Sequence, residues 1–358
     1  MYAVIMASGQ GTRLWPMSRV SKPKQFHAML GRNTLIQDTY ERLLPTFAIK
    51  DIFVTVTKDY FEEAKKQLPG IPHENFIVEP YATGTLGTCA LAIAKLYSIN
   101  PKGNAVFLPS DHIITEPKEF LRIVDFAETL VRKYPKHITL IGINPTRPDT
   151  GMGYIQMDSQ IESFDSLKAF SVKRFVEKPD EKTAERYVAA WEYLWNGGMF
   201  AWNIGHIRSL YEKYCPKTLK AVTEIIQADG SNEYDKIAGS RYKEIDRTSV
   251  DYAISEKEKN ILVIPGDFGW SDVGSWGTLS QVLREHHNSF NIAKGNHIGV
   301  DDKDCLVLAN HKLIATVGLE DIVVIDTEDA ILICRGNKSQ KVKDLIDKLK
   351  AEGKNLYL

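Results

Sequence analysis

MYAVIMASGQGTRLWPMSRVSKPKQFH, residues 1–27, is the stretch from which the fold is read. Tyr2 to Ala7 is a short apolar run, Ser8 to Gly11 brings two glycines, and Arg13, Arg19, Lys22 and Lys24 follow. A strand entering a glycine loop rich in cations reads as a phosphate cradle. Glycine lets backbone N–H groups reach phosphate oxygens without a Cβ in the way, and the cations neutralise what the amides leave. The charge is local: the chain holds 45 Lys+Arg against 46 Asp+Glu, yet no acidic residue precedes Asp38. Two common phosphate loops are excluded, because no Gly-Lys-Ser/Thr follows at P-loop spacing and Leu14 stands where a dinucleotide fingerprint needs its third glycine. A strand followed by GxG is, by itself, also what a tight turn looks like.

Outward from the loop, Thr34 and Gln37 form a capping box ahead of a helix ending near Pro45. Strands at Asp51–Thr57, Asn75–Val78, Asn104–Leu108 and His137–Ile143 then alternate with helices at Tyr60–Leu68, Thr85–Tyr97 and Phe120–Lys133. Apolar strands suited to burial on both faces, alternating with helices, predict an α/β fold with a doubly wound, mostly parallel sheet. Ligands of such sheets bind beyond the carboxyl ends of the strands. Ser8–Arg13, Glu79-Pro80 and Ser110-Asp111-His112 each follow a predicted strand, so they are expected at one crevice. Beyond Gly151 the pattern loosens, with strands expected near Tyr154–Met157, Ser171–Val176 and Gly198–Trp202 and helices near Glu181–Glu192 and Ile204–Tyr214. The last 70 residues carry short apolar runs beginning at Cys305, Leu313, Ile322 and Ala330, in steps of eight or nine, then a helix over Ser339–Ala351. Even spacing of short strands predicts a small β-solenoid, read as a folding or subunit-contact module. The domains are therefore expected at 1–288 and 289–358.

Composition excludes several classes. A formal charge of −1 gives no reason to expect nucleic acid or an anionic membrane as partner. No apolar run is long enough to span a bilayer, and the first lacks a basic flank, so the expected compartment is the cytoplasm. Cys89, Cys215, Cys305 and Cys334 are scattered without a CxxC, against a zinc or redox site, and each is expected to be a buried small hydrophobe.

Several further segments offer chemistry. Asp111, in Leu108-Pro109-Ser110-Asp111-His112, reads as a turn cap or as a metal-binding carboxylate, and Asp272 lies between two tryptophans in Gly269-Trp270-Ser271-Asp272-Val273-Gly274-Ser275-Trp276. Glu177-Lys178-Pro179 ends a predicted strand; a carboxylate there accepts hydroxyls and a lysine holds a phosphate, unless both are simply solvated. Trp195-Asn196-Gly197-Gly198-Met199-Phe200 supplies an amide that both donates and accepts, and Gly151-Met152-Gly153-Tyr154 a backbone that a ligand can approach.

The succession Gly9-x-Gly11-Thr12-Arg13-Leu14-Trp15-Pro16 and Pro23-Lys24-Gln25-Phe26, followed in order by these segments, resembles the sugar nucleotidyltransferases, in the form carried by mannose-1-phosphate guanylyltransferases. Three places depart from the usual pattern: Ser8 replaces a first glycine, Thr83-Gly84-Thr85 replaces a segment often carrying Arg or Lys, Asn and Thr, and Gly197 replaces Ser. The resemblance implies transfer of GMP from GTP to mannose 1-phosphate, giving GDP-mannose and pyrophosphate by direct in-line displacement. A related sugar or base, or a non-catalytic GDP-mannose-binding regulatory homologue, is the alternative. It implies Arg13, Lys24, Lys178, Asp111 and Asp272 as the catalytic set, with Mg²⁺ or another divalent cation on Asp111 and Asp272. The nucleotide is assigned to Ala7, Ser8, Gly9, Gly11, Thr12, Arg13, Lys24, Glu79, Pro80, Thr85 and Asp111, and the sugar to Gly153, Tyr154, Glu177, Lys178 and Asn196. A homodimer is the expected assembly.

Overall fold

The computed structural model describes residues 1–358. Its strands are β1 (Tyr2–Met6), β2 (Ile52–Thr57), β3 (Phe76–Glu79), β4 (Asn104–Pro109), β5 (Ile113–Ile114), β6 (Ile138–Ile143), β7 (Tyr154–Phe164), β8 (Leu167–Val176), β9 (Tyr193–Asn203), β10 (Ile261–Gly266), β11 (Trp270–Ser271), β12 (Ile292–Val300), β13 (Leu306–Val317), β14 (Ile322–Asp326) and β15 (Ile331–Arg335). The helices are α1 (Leu35–Leu43), α2 (Phe61–Gln67), α3 (Thr85–Ile99), α4 (Pro117–Lys133), α5 (Glu181–Ala189), α6 (Ile204–Tyr214), α7 (Pro216–Gln227), α8 (Tyr234–Arg241), α9 (Trp276–His287) and α10 (Val342–Ala351). Contacts divide the chain into two compact units: Met1–Ser8, Tyr40–Ser110 and Glu116–Trp270 in the first, Gly9–Thr39, Asp111–Thr115 and Ser271–Leu358 in the second. The chain thus crosses between units after Ser8, Thr39, Ser110, Thr115 and Trp270, whereas the sequence places one boundary after residue 288.

The first unit is built on a nine-stranded sheet of order β3-β2-β1-β4-β9-β6-β10-β8-β7. The doubly wound α/β architecture is as expected; β3, β2, β1 and β4 run parallel, as does β10 with β6, while β9, β8 and β7 pair antiparallel with their neighbours. Continuous apolar runs explain the parallel part: all six residues of β2 and of β6 are buried, as a sheet covered on both faces requires. The core on the α3 side joins Val4, Phe53, Phe107, Phe200 and Trp202 to Leu86, Ile93, Ile207 and Val222. The helix expected over Glu181–Glu192 ends at Ala189, because Trp191 turns the chain with φ +56° and β9 begins at Tyr193. Helices α7 and α8 and strand β10 lie where the sequence reading assigns no element.

The second unit has its own core, in which Leu14, Trp15, Met29 and Leu35 from the N-terminal stretch pack with Trp276, Leu279, Leu306, Ile325 and Ile346. The capping box is formed, with the Thr34 N–H donating to Gln37 Oε1 at 3.0 Å ahead of α1. The C-terminal sheet has the order β12-β13-β14-β15, parallel through β14 and antiparallel at β15. The runs expected to start at Cys305 and Leu313 form one strand, β13, whose register against β12 jumps between Gly295 and His297. Buried Asp326 fixes that irregularity by accepting the N–H groups of His311 at 2.7 Å and Lys312 at 3.2 Å. Cys89 and Cys305 are buried as expected; Cys215 and Cys334 are only half-buried, and all four are free thiols.

Candidate active site

In the second unit the glycine loop is held from several sides. Gly11 has φ +51°, and a Cβ there would lie 2.6 Å from Lys24 Cγ, so both the backbone conformation and the close approach demand glycine. Ser18 Oγ donates to the Gly11 carbonyl at 2.8 Å and Gln25 Nε2 to the Gly9 carbonyl at 2.9 Å. Thr12, Arg13 and Leu14 form a 3₁₀ turn that buries Leu14 and leaves Arg13 exposed, its guanidinium without a protein partner.

Lys24 is 8 % exposed. Its Nζ pairs with Asp111 Oδ2 at 3.0 Å and donates to the Asp272 carbonyl at 2.6 Å, so one ammonium group links three of the expected residues. Burial tends to raise the Asp111 carboxyl, but the charges of Lys24 and His112 and the Lys24 hydrogen bond outweigh it and hold the group below the usual carboxylate range. The Asp272 carboxylate has no protein partner and lies over Gly274, where a Cβ would stand 2.5 Å from Oδ2. The next residue, buried Val273, takes φ +46°, a conformation that costs a β-branched side chain on the order of 1–3 kcal/mol and often accompanies functional sites.

In the first unit, residues at the carboxyl ends of β1, β3 and β4 are neighbours, whereas Gly9–Arg13 and Asp111-His112, expected at the same crevice, belong to the second unit. Met6 pairs with Pro109, its carbonyl accepts the Ser110 N–H at 3.0 Å, and Ser8 Oγ makes a short hydrogen bond to Glu79 Oε1. Glu79 is fully buried, and Tyr242 OH (closely) and Thr88 Oγ1 (at 3.1 Å) donate to its Oε2. Burial pushes its carboxyl above the ordinary value, with the three hydroxyl donors limiting the shift. Thr85 Oγ1 accepts the Val250 N–H at 3.1 Å, and Gly84, at φ +89°, lies against the Thr248 carbonyl. The Glu79 and Thr85 side chains are thus committed to the protein interior, as is the Ala7 N–H, which donates to the Thr55 carbonyl at 2.8 Å.

The expected sugar residues also gather in the first unit. Glu177 Oε1 pairs closely with Lys178 Nζ, while Glu177 Oε2 is buried without a partner. Lys178 is itself left-handed, at φ +49°, and its side chain is about half exposed. Asn196 N–H donates to the Gly153 carbonyl at 2.8 Å, and a Cβ on Gly153 would overlap Glu177 Oε2. Tyr154 differs from the others: its ring is fully buried and its hydroxyl bonds the Asp149 backbone, accepting the N–H at 3.0 Å and meeting the carbonyl at 3.2 Å. It therefore shapes the turn before β7. Sequence reasoning did not single out Thr88 and Tyr242, whose hydroxyls lie 9 and 163 positions from Glu79. Asp251-Tyr252-Ala253 matches a further stretch of the family pattern, for which a structural role is as open as a catalytic one.

The mixed α/β sheet is that of a nucleotidyltransferase, and the chain belongs to the nucleotidyl transferase family, whose model matches residues 2–289. Residues 295–349 match the MannoseP isomerase/GMP-like beta-helix domain. The chain is 35% identical to the mannose-1-phosphate guanylyltransferase of Escherichia coli K12 over 360 residues, 99% of this chain and 74% of that protein. It is likewise 35% identical to the alginate biosynthesis protein AlgA of Pseudomonas putida, over 99% of this chain and 72% of that one. Among solved structures it resembles one from Thermus thermophilus described as a mannose-1-phosphate geranyltransferase, with TM-score 0.84 and 28% identity over 98% of this chain and 99% of that one.

Proposed function

We propose that this nucleotidyltransferase transfers GMP from GTP to α-D-mannose 1-phosphate. A phosphate oxygen of the sugar attacks the α-phosphorus, the bond to the β-phosphate oxygen breaks, and pyrophosphate leaves with GDP-mannose as the other product. The observation that carries the reading is the collinear 35% identity with a mannose-1-phosphate guanylyltransferase across nearly the whole chain. The nucleophile is already an anion, so the protein needs no nucleophilic triad; it must align two polyanions and neutralise developing charge.

Arg13, exposed and unpaired, and Lys24 hold the triphosphate, and Lys178 the sugar phosphate. Lys24 also keeps Asp111 ionised. The donors at Asp111 and Asp272 are all oxygen, and no group of three or more His, Cys, Asp or Glu side chains converges as a dedicated metal cage. That suits Mg²⁺, which takes one or two carboxylates and completes its shell with phosphate and water. Asp111 and Asp272 would hold it, and when bound it supplies charge neutralisation at the reacting phosphates.

The free cysteines and a nucleoside triphosphate substrate support a reducing compartment, the cytoplasm; no helix is long and apolar enough to cross a membrane. A homodimer is supported by Ile298, Val300, Leu313 and Val317, exposed on β13 and the open edge strand β12. Light scattering of the wild type beside Ile298→Lys/Val317→Lys tests this; a monomeric wild type rejects it. The activity is tested by pyrophosphate release with GTP and mannose 1-phosphate beside ATP, dTTP, UTP and glucose 1-phosphate. Preference for the first pair is expected, and preference for another reassigns base or sugar.

A further inference from the structure

Asp251 opens a single π-helical turn, Asp251–Ser255, a rare geometry that often marks functional sites. Its side chain is 7 % exposed, and Asn196 Nδ2 donates to its Oδ1 at 2.8 Å. On its other face Asn196 Oδ1 accepts the Gly198 N–H at 3.0 Å, so the two bonds define a single orientation of the amide. The neighbouring Glu177 carries a buried oxygen that no protein donor satisfies, beside the space Gly153 leaves open. Buried acceptors are normally paired, so this oxygen waits for a ligand donor such as a sugar hydroxyl.

We propose that Asp251 is a positioning residue for the sugar 1-phosphate: it aims the Asn196 amide, and its charge, beside Glu177 and Lys178, governs how tightly the sugar phosphate is held. The inference rests on the reading that Glu177, Lys178 and Asn196 face the sugar. The groups acting on Asp251 come from several elements: Glu177 and Lys178 after β8, Asn196 on β9, Cys89 on α3 and Tyr211 on α6. Burial pushes the Cys89 thiol and the Tyr211 phenol well up, so both stay neutral. Burial first, and then the Glu177 charge, raise Asp251 to about 7, with the Asn196 hydrogen bond opposing. Below that pH Asp251 is neutral, and Lys178 pairs with Glu177. Above it a second negative charge appears where an anionic phosphate must bind, and binding weakens.

The test compares wild type, Asp251→Asn and Asp251→Ala in steady-state kinetics between pH 6 and 9. Wild-type KM for mannose 1-phosphate should climb as pH rises through about 7, by up to about tenfold per pH unit, with KM for GTP unchanged. Asp251→Asn keeps the acceptor for Asn196 and removes the charge, so that climb should disappear. Ionisation of the substrate phosphate, near pH 6, is common to all three proteins and cancels in the comparison. Asp251→Ala frees the Asn196 amide and should raise KM for the sugar phosphate at every pH, with thermal melting confirming a folded protein. An Asp251→Asn profile matching wild type, or an Asp251→Ala loss falling equally on GTP, overturns the inference. If another sugar 1-phosphate is the better substrate, the same profiles with that sugar test Asp251 while only the mannose reading falls; no turnover with any pair overturns both.

Discussion

Lys24 concentrates the chemistry of the second unit in one side chain. Its buried ammonium serves the Asp111 carboxylate and the Asp272 carbonyl together, so Lys24→Met removes a charge and leaves two oxygens unpaired. We expect kcat to fall by roughly 10²–10³, the scale of a single transition-state donor. Asp111 also supplies a pH signature. Its folded-state pKa is depressed, so the stability it contributes is complete above the unfolded carboxylate value and is lost as pH falls through the folded one. Lys24→Met should therefore move the acid-unfolding midpoint upward; an unchanged midpoint would mean the pair contributes nothing. Tyr242 tests the other buried carboxylate. Tyr242→Phe deletes one of three hydroxyl donors to Glu79 and should cost about 1.5–3 kcal/mol in urea denaturation, as for hydrogen bonds to charged groups. A cost under about 0.5 kcal/mol would show that Glu79 is satisfied without it.

At the level of elements, the C-terminal strands and helices do more than cover a sheet. Trp276 on α9 donates to the Trp15 carbonyl at 2.8 Å, and Trp15 Nε1 donates to the Tyr357 carbonyl at 2.5 Å. Arg19 grips Asp329, between β14 and β15, through two nitrogens at 2.8 and 2.5 Å. The residues just after the glycine loop are thereby fastened to α9, the β14–β15 turn and the chain after α10. Asp329 is more than one-third exposed, so solvent screens the pair; its double-mutant cycle with Arg19→Ala and Asp329→Ala should give a coupling of only about 0.2–1 kcal/mol. KM for GTP is the more sensitive readout, and we expect it to rise in each single variant. Equal KM values in wild type and variants would reduce the pair to surface decoration.

Across the molecule, the two cores make a prediction about domain boundaries. The family models divide near residues 289–295, yet Leu14, Trp15 and Leu35 share their core with Leu306, Ile325 and Ile346. A chain ending at residue 288 would strip that core of its C-terminal members and expose the tryptophans. We expect it to lose near-UV circular dichroism and nucleotide binding; a truncated chain that binds GTP normally would show that residues 1–288 suffice.

The α/β architecture was legible in the amino acids, since runs such as Ile52–Thr57 and Ile138–Ile143 are mostly apolar with no charged residue, and only a covered sheet buries both faces of a strand. So was the family, because glycine, cation and carboxylate motifs occur in a fixed order along the chain. The helix Ile204–Tyr214 could be placed to the residue, since its apolar positions recur with helical period. What each charged group faces, by contrast, emerged only from the folded arrangement. Glu79 reads as a ligand-facing acid, but Ser8, Thr88 and Tyr242 turn it into a buried hub; Tyr154 reads as a sugar contact, but its hydroxyl closes a turn. The partnership of Asp251 with Asn196 spans 55 positions. Periodicity reports which side of an element is buried, whereas pairings across such distances depend on how elements pack, and packing is where burial and neighbouring charge set what each carboxylate can do.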